Sequence, residues 1–237
     1  MSWIPLGLAA LSAAGNLVGA AAVTWRSRWS DRALEALLAV AAGFMVSVAV
    51  LELIPESVVR GGMPAGGVML LGYLLVHLTQ HTIAAHFHFG EERHPVSSSV
   101  STSALVGLLL HTLVDGVAIV SGYQVSAAIG TLVFIAIALH KLPEGLAIAS
   151  MFLAAGRSRR TALLAACALG VTTIVGVLLT EWIAPMRLYG LPLAAGVSLY
   201  VGASNLVPEL QRTRRWRNAL TFFAGCGVFV MLRAVLI

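Results

Sequence analysis

The sequence predicts an all-α integral membrane protein with eight transmembrane helices, and three observations lead there. Of its 237 residues, 59% are hydrophobic and 11% are charged, against about 25% charged in a soluble domain. Its mean hydropathy is +0.91, too high for a water-soluble fold. Charged or turn-rich breaks then divide the chain into eight apolar segments, close in length to the roughly 20 residues that a hydrocarbon core requires. The connections left over hold no soluble domain, so 1–237 reads as a single polytopic membrane domain.

The first segment, 3–25, has no basic stretch ahead of it and is longer than the apolar core of a signal peptide, so it reads as a retained span. The second, 33–57, ends on a Pro-Glu pair and carries Glu52 and Glu56 on one face. The third, 66–90, follows the break RGGMPAGG and holds His77 and His81 at i,i+4 spacing. A cytosolic His-containing loop, 86–101, comes next. Its HFHFGEERH stretch offers His86, His88 and His94 beside Glu91 and Glu92, a short tract suited to loose metal capture. The fourth and fifth segments, 102–122 and 125–154, are joined by a few residues and so are antiparallel neighbours. The sixth is 161–181. The seventh, 188–209, carries Asn205 and Glu209, and the eighth is 216–236. Trp3, Trp25, Trp29, Trp182 and Trp216 fall at segment ends, as an interfacial aromatic belt does, and Glu181 reads as interfacial too.

The net charge of +5 invites a nucleic-acid reading, but the placement of the arginines explains it otherwise. Basic residues stay on the cytoplasmic side. With both termini outside, the inner loops hold eleven arginines: Arg26, Arg28, Arg32, Arg93, Arg157, Arg159, Arg160, Arg212, Arg214, Arg215 and Arg217. Only Arg60, Arg187 and Arg233 then lie outside. No nucleic-acid partner is needed. Cys167 and Cys226 sit in apolar runs and form neither a disulfide framework nor a CxxC site. The short loops and single lysine point to a prokaryotic cytoplasmic membrane. GxxxG-like spacings among 23 glycines leave a homodimer open without supporting one.

Two stretches repeat. AGFMVSVAVLELIPE (42–56) aligns with AGVSLYVGASNLVPE (195–209), and HTLVDGVAI (111–119) with HKLPEGLAI (140–148). The paired segments run in opposite directions, so the repeat is inverted, an arrangement that secondary transporters use around a midplane site. Glu52 and Glu56 then correspond to Asn205 and Glu209, a candidate entrance and a candidate exit for a cation. Helix termination at the two Pro-Glu pairs is the competing explanation.

Ionisable groups inside a membrane normally face a cavity or one another. His111 and Asp115 share one face of the fourth segment, and His140 and Glu144 one face of the fifth, each pair about 6 Å apart along its axis. Together they supply two imidazoles and two carboxylates, a set suited to Zn2+ or another first-row dication. Gly116 and Gly145, each following a carboxylate, permit close helix approach. Pro143 removes a backbone donor and is expected to kink the fifth span.

These blocks resemble the fourth- and fifth-helix motifs of the ZIP (ZRT/IRT-like protein) family of divalent metal transporters, and the 42–56 and 195–209 stretches are similar to that family too. The resemblance implies a 3+2+3 helix arrangement with metal bound between helices four and five. It also implies import into the cytoplasm, with Zn2+ the commonest substrate and Fe2+, Mn2+ or Cd2+ alternatives, and no organic cofactor. It carries His111, Asp115, His140 and Glu144 over as transport-site ligands. Thr112 and Lys141 depart from the family pattern, which there helps hold a second metal. The Lys141 ammonium is expected to stand in for that second cation. Two other readings compete. An intramembrane zinc-dependent hydrolase needs a base beside its metal, and the HExxH form is absent here. A metal-binding sensor without transport needs an output domain.

Overall fold

The computed structural model describes residues 3–25, 31–79, 98–208 and 216–237, and all of its regular structure is helical. The helices are α1 (Trp3–Trp25), α2 (Asp31–Val48), α3 (Ile54–Leu78), α4 (Ser98–Val125), α5 (Ala127–Ala154), α6 (Arg159–Trp182), α7 (Ala184–Leu199) and α8 (Trp216–Leu236). Two π-helical segments extend them, Ala49–Leu53 after α2 and Tyr200–Leu206 after α7. Six of the described helical stretches are long and apolar enough to cross a bilayer, and α7 with its π segment is a seventh long apolar helix. The chain is therefore a multi-pass membrane protein.

Local chemistry sets the boundaries. Ser126 and Ser158 cap α5 and α6, their hydroxyls accepting from Ile129 N and Thr161 N. Gly156, at φ 74°, closes the turn between those helices. The helical run from Glu35 to Leu78 covers 44 residues, about 66 Å if straight and twice a hydrocarbon core. It is broken at Gly62, whose φ of 57° only glycine adopts freely, with Pro64 two residues on. The break falls inside the RGGMPAGG stretch. Conversely, α5 runs unbroken through Pro143, so the kink expected there is not an interruption.

Each π segment ends two residues before a proline, Pro55 or Pro208. Proline has no N–H to return to the preceding turn, and widening that turn shifts the ladder by one residue.

The helices pack as α1 on α5 and α6, α4 on α5 and α6, α2 on α8, and α3 on α7. Glycines bring backbones into contact at these interfaces. A Cβ at Gly43 would lie 2.1 Å from the Phe222 carbonyl oxygen, and one at Gly196 would lie 1.9 Å from that of Met69. Gly72 meets the Leu193 carbonyl as Gly225 meets that of Val40. All four pairs are related by the step that aligns 42–56 with 195–209. Gly145 against Asn16 is likewise matched by Gly116 against Thr173, and Gly19 against Leu142 by Gly176 against Leu113.

Phe44 and Phe229 pack edge to face, centroids 5.6 Å apart, in the core between α2 and α8. Outward-facing positions are apolar, including Leu70, Leu71 and Leu74 on α3 and Val230, Met231 and Val235 on α8. Trp3, Trp25, Trp182 and Trp216 are exposed at helix ends, where an amphipathic ring meets headgroups.

Candidate metal centre

α4 and α5 meet side by side, with Gly122 of one against Gly130 of the other. On the facing surfaces lie His111 and Asp115 from α4 and His140, Lys141 and Glu144 from α5, all buried. His111, Asp115, His140 and Glu144 each offer a donor atom, and these atoms lie within 4.8 Å of one another.

Three of the donors form a near-equilateral triangle. His111 Nε2 is 3.4 Å from His140 Nε2, and Asp115 Oδ2 is 3.3 Å from His140 Nε2 and 3.5 Å from His111 Nε2. A tetrahedral ion bound at about 2.0–2.1 Å has edges of about 3.3–3.4 Å. Three corners of a zinc polyhedron thus stand at bonding spacing. For the fourth corner, Glu144 Oε1 is buried without a hydrogen-bond partner while Oε2 accepts from Lys141. His140 Nδ1 donates to the Ala136 carbonyl at 3.0 Å, which leaves the Nε2 lone pair to the site. His111 Nδ1 has no such partner.

Lys141 is fully buried, its Nζ 2.7 Å from Asp115 Oδ2 and 3.0 Å from Glu144 Oε2. One fixed positive charge bridges the two carboxylates and leaves the five-residue cluster a formal −1. Gly15 on α1 makes room for it, because a Cβ there would lie 3.1 Å from Lys141 Cβ. The Thr112 hydroxyl does not take part in the cluster. It donates back to the Leu109 carbonyl at 3.0 Å.

The remaining sequence candidates are dispersed. Glu52 is buried in the first π segment and accepts from Arg233 of α8, and Glu56 in the first turn of α3 pairs with Arg60 at 2.5 Å. The two acids therefore do not converge on one point. Asn205 is half-buried in the second π segment. His77 is exposed and its ring packs edge to face on Tyr200, centroids 5.7 Å apart. His81, His86, His88, His94 and Glu209 lie outside the described residues. Sequence reasoning missed Tyr73, which hydrogen-bonds Ser204 at 2.9 Å and packs edge to face on Tyr200. It also missed the Glu52–Arg233 pair, whose members are 181 positions apart.

Comparison with known proteins agrees with this chemistry. A family model described as ZIP Zinc transporter matches residues 97–233. Over 96% of its length the chain is 29% identical to the zinc transporter ZupT of Shigella dysenteriae serotype 1, covering 94% of that protein.

Proposed function

The chain belongs to the ZIP zinc transporter family, and from that premise we propose that it imports Zn2+ into the cytoplasm through the α4–α5 site, with His111, Asp115, His140 and Glu144 as the ligands of the ion in transit. Membership makes it a membrane metal transporter and not an enzyme, so the hydrolase reading falls away. The triangle of donors at tetrahedral spacing carries the proposal. The mixed nitrogen and oxygen set, without thiolate, suits an ion that must be stripped of water and then released. Fe2+, Mn2+ and Cd2+ fit the same donors less selectively.

The proposal extends to the frame. Eight spans with both termini outside, arranged 3+2+3, are supported by the matched glycine contacts. They are also supported by the parallel course of α2 and α8, which meet at Gly43 with Cys226 and, further along both, at Glu52 with Arg233. Two even-numbered spans must run this way. In this frame, the inner arginines and the His-containing stretch 86–101 face the cytoplasm, and the cytoplasmic membrane is the location.

Transport then needs the site to face each side in turn. Within α1, α4, α5 and α6, and again within α2, α3, α7 and α8, glycines set backbone on backbone. The first group carries the ligands and moves as a unit against the second.

Lys141 fills the place of a second cation, so the site takes one dication at a time. Zinc influx into proteoliposomes carrying the protein alone tests the proposal. Wild type is expected to load zinc and His140→Ala to fall to the level of empty vesicles. Binding without influx would return the sensor reading. Two tightly bound ions per wild-type chain would overturn the single-ion site.

A further inference from the structure

Among the described residues three carboxylates are buried: Asp115, Glu144 and Glu52. Lys141 bridges the first two. Glu52 stands apart, in the π segment Ala49–Leu53, a kind of helical irregularity frequent at functional sites. Its Oε1 accepts from Nε of Arg233, in the last turn of α8. The pair is unequal, with 7% of the Glu52 side chain exposed against 47% of Arg233. Ser57, on the same buried face as Glu52 and Leu53, contributes a hydroxyl with no hydrogen-bond partner. The corresponding position in the second π segment is the neutral Asn205, so the charged pair belongs to one end of the molecule.

We propose that Glu52 is an outer docking site for the incoming dication, and that Arg233 is a tethered cation that fills this site between arrivals and leaves by cation-for-cation exchange. The proposal rests on the transporter reading. A carboxylate this deep is unfavourable when unpaired, and exchanging one cation for another never leaves it so. Arg233 is able to leave because its guanidinium is half in solvent and its aliphatic shaft lets the head move out to the headgroup region. Lys141 has no exposed surface, so the two tethered cations differ in kind. The outer one exchanges with arriving ions, while the inner one stays with its carboxylates.

The test is initial-rate zinc influx into proteoliposomes across a range of zinc concentrations for wild type, Glu52→Gln and Arg233→Gln. Glu52→Gln is expected to raise the half-saturating concentration about fivefold or more. Arg233→Gln is expected to lower it about threefold, with the maximal rate within twofold of wild type. The double variant is expected to follow Glu52→Gln. Opposite signs are the signature, because a purely structural ion pair shifts both variants the same way, through less folded protein or a lower maximal rate. Same-sign or absent shifts in half-saturation overturn the proposal. Should Arg233→Gln fail to fold, Arg233→Lys keeps the charge with a weaker grip. It is expected to lower half-saturation by a smaller factor, and an unchanged or raised value overturns the proposal equally. Wild-type vesicles without influx would fail the transporter reading itself, whereas wild-type influx with no opposite shifts fails the docking site alone.

Discussion

The two central histidines are inequivalent although the repeat relates them. His140 is held by the Ala136 carbonyl, while His111 Nδ1 has no partner. Immobilising a free side chain on binding costs about 0.5–1.5 kcal/mol, so the oriented ring contributes more. His140→Ala is therefore expected to weaken zinc binding roughly threefold to tenfold more than His111→Ala, measured by competition with a chromogenic chelator. Lys141 leads to a second expectation. Removing one partner of a buried ion pair costs about 3–5 kcal/mol, and Lys141→Met would leave Asp115 and Glu144 facing each other unscreened. The metal-free variant is expected to melt well below wild type, and saturating zinc to restore more of its stability than it adds to wild type. Thermal unfolding in detergent with and without zinc reads both. Four of these side chains were legible because i,i+4 spacing fixes which helical face a residue occupies. The roles of Thr112 and Lys141 were not equally legible. A threonine hydroxyl can satisfy itself on its own helix, whereas a lysine's reach depends on space left by another helix, here at Gly15.

At the scale of elements, the glycines are the joints. A Cβ at Gly145 would lie 2.0 Å from the Asn16 carbonyl oxygen, backbone that cannot turn aside, so α1 and α5 would have to separate. Overpacking of this sort costs about 1–3 kcal/mol. Gly145→Ala is accordingly expected to lower the melting temperature and to weaken zinc binding, since Glu144 is its neighbour. Gly7→Ala, with nothing within 4 Å, is expected to leave both unchanged or slightly raise stability. The apolar runs, the arginine-rich connections and the Gly62 break could be read in advance, because burial in lipid and the geometry of positive φ act locally. The π segments could not. Pro55 and Pro208 mark where the ladder loses a donor, but whether the turn then widens into a π segment or stays α-helical, as in α5 at Pro143, is decided by its neighbours. The Glu52–Arg233 pair was hidden for a similar reason, since α8 meets α2 only through packing.

At the scale of the molecule, the interface that must slide is distinguished from those that hold. Gly190, on α7, faces across from one helix group to the other, and it meets side chains instead of backbone. A Cβ there would lie 3.0 Å from Val117 Cγ1 and 3.7 Å from Ser121 Cβ, both on α4. That last distance falls in the range of a disulfide's Cβ pair, about 3.5–4.5 Å. In a background with Cys167 and Cys226 replaced by serine, Gly190→Cys with Ser121→Cys is expected to cross-link under mild oxidation, to stop zinc influx and to recover it on reduction. The control joins two helices of the same group. Gly170→Cys on α6 faces Ala13→Cys on α1 with Cβ atoms 3.1 Å apart, shorter than that range, so the two helices must ease slightly apart for the bond to form. It is expected to retain at least half of wild-type influx when oxidised. If the α4–α7 bond forms fully and influx continues, the two groups do not move past each other there. The buried site would then have to open by local rearrangement of α4 and α5 alone.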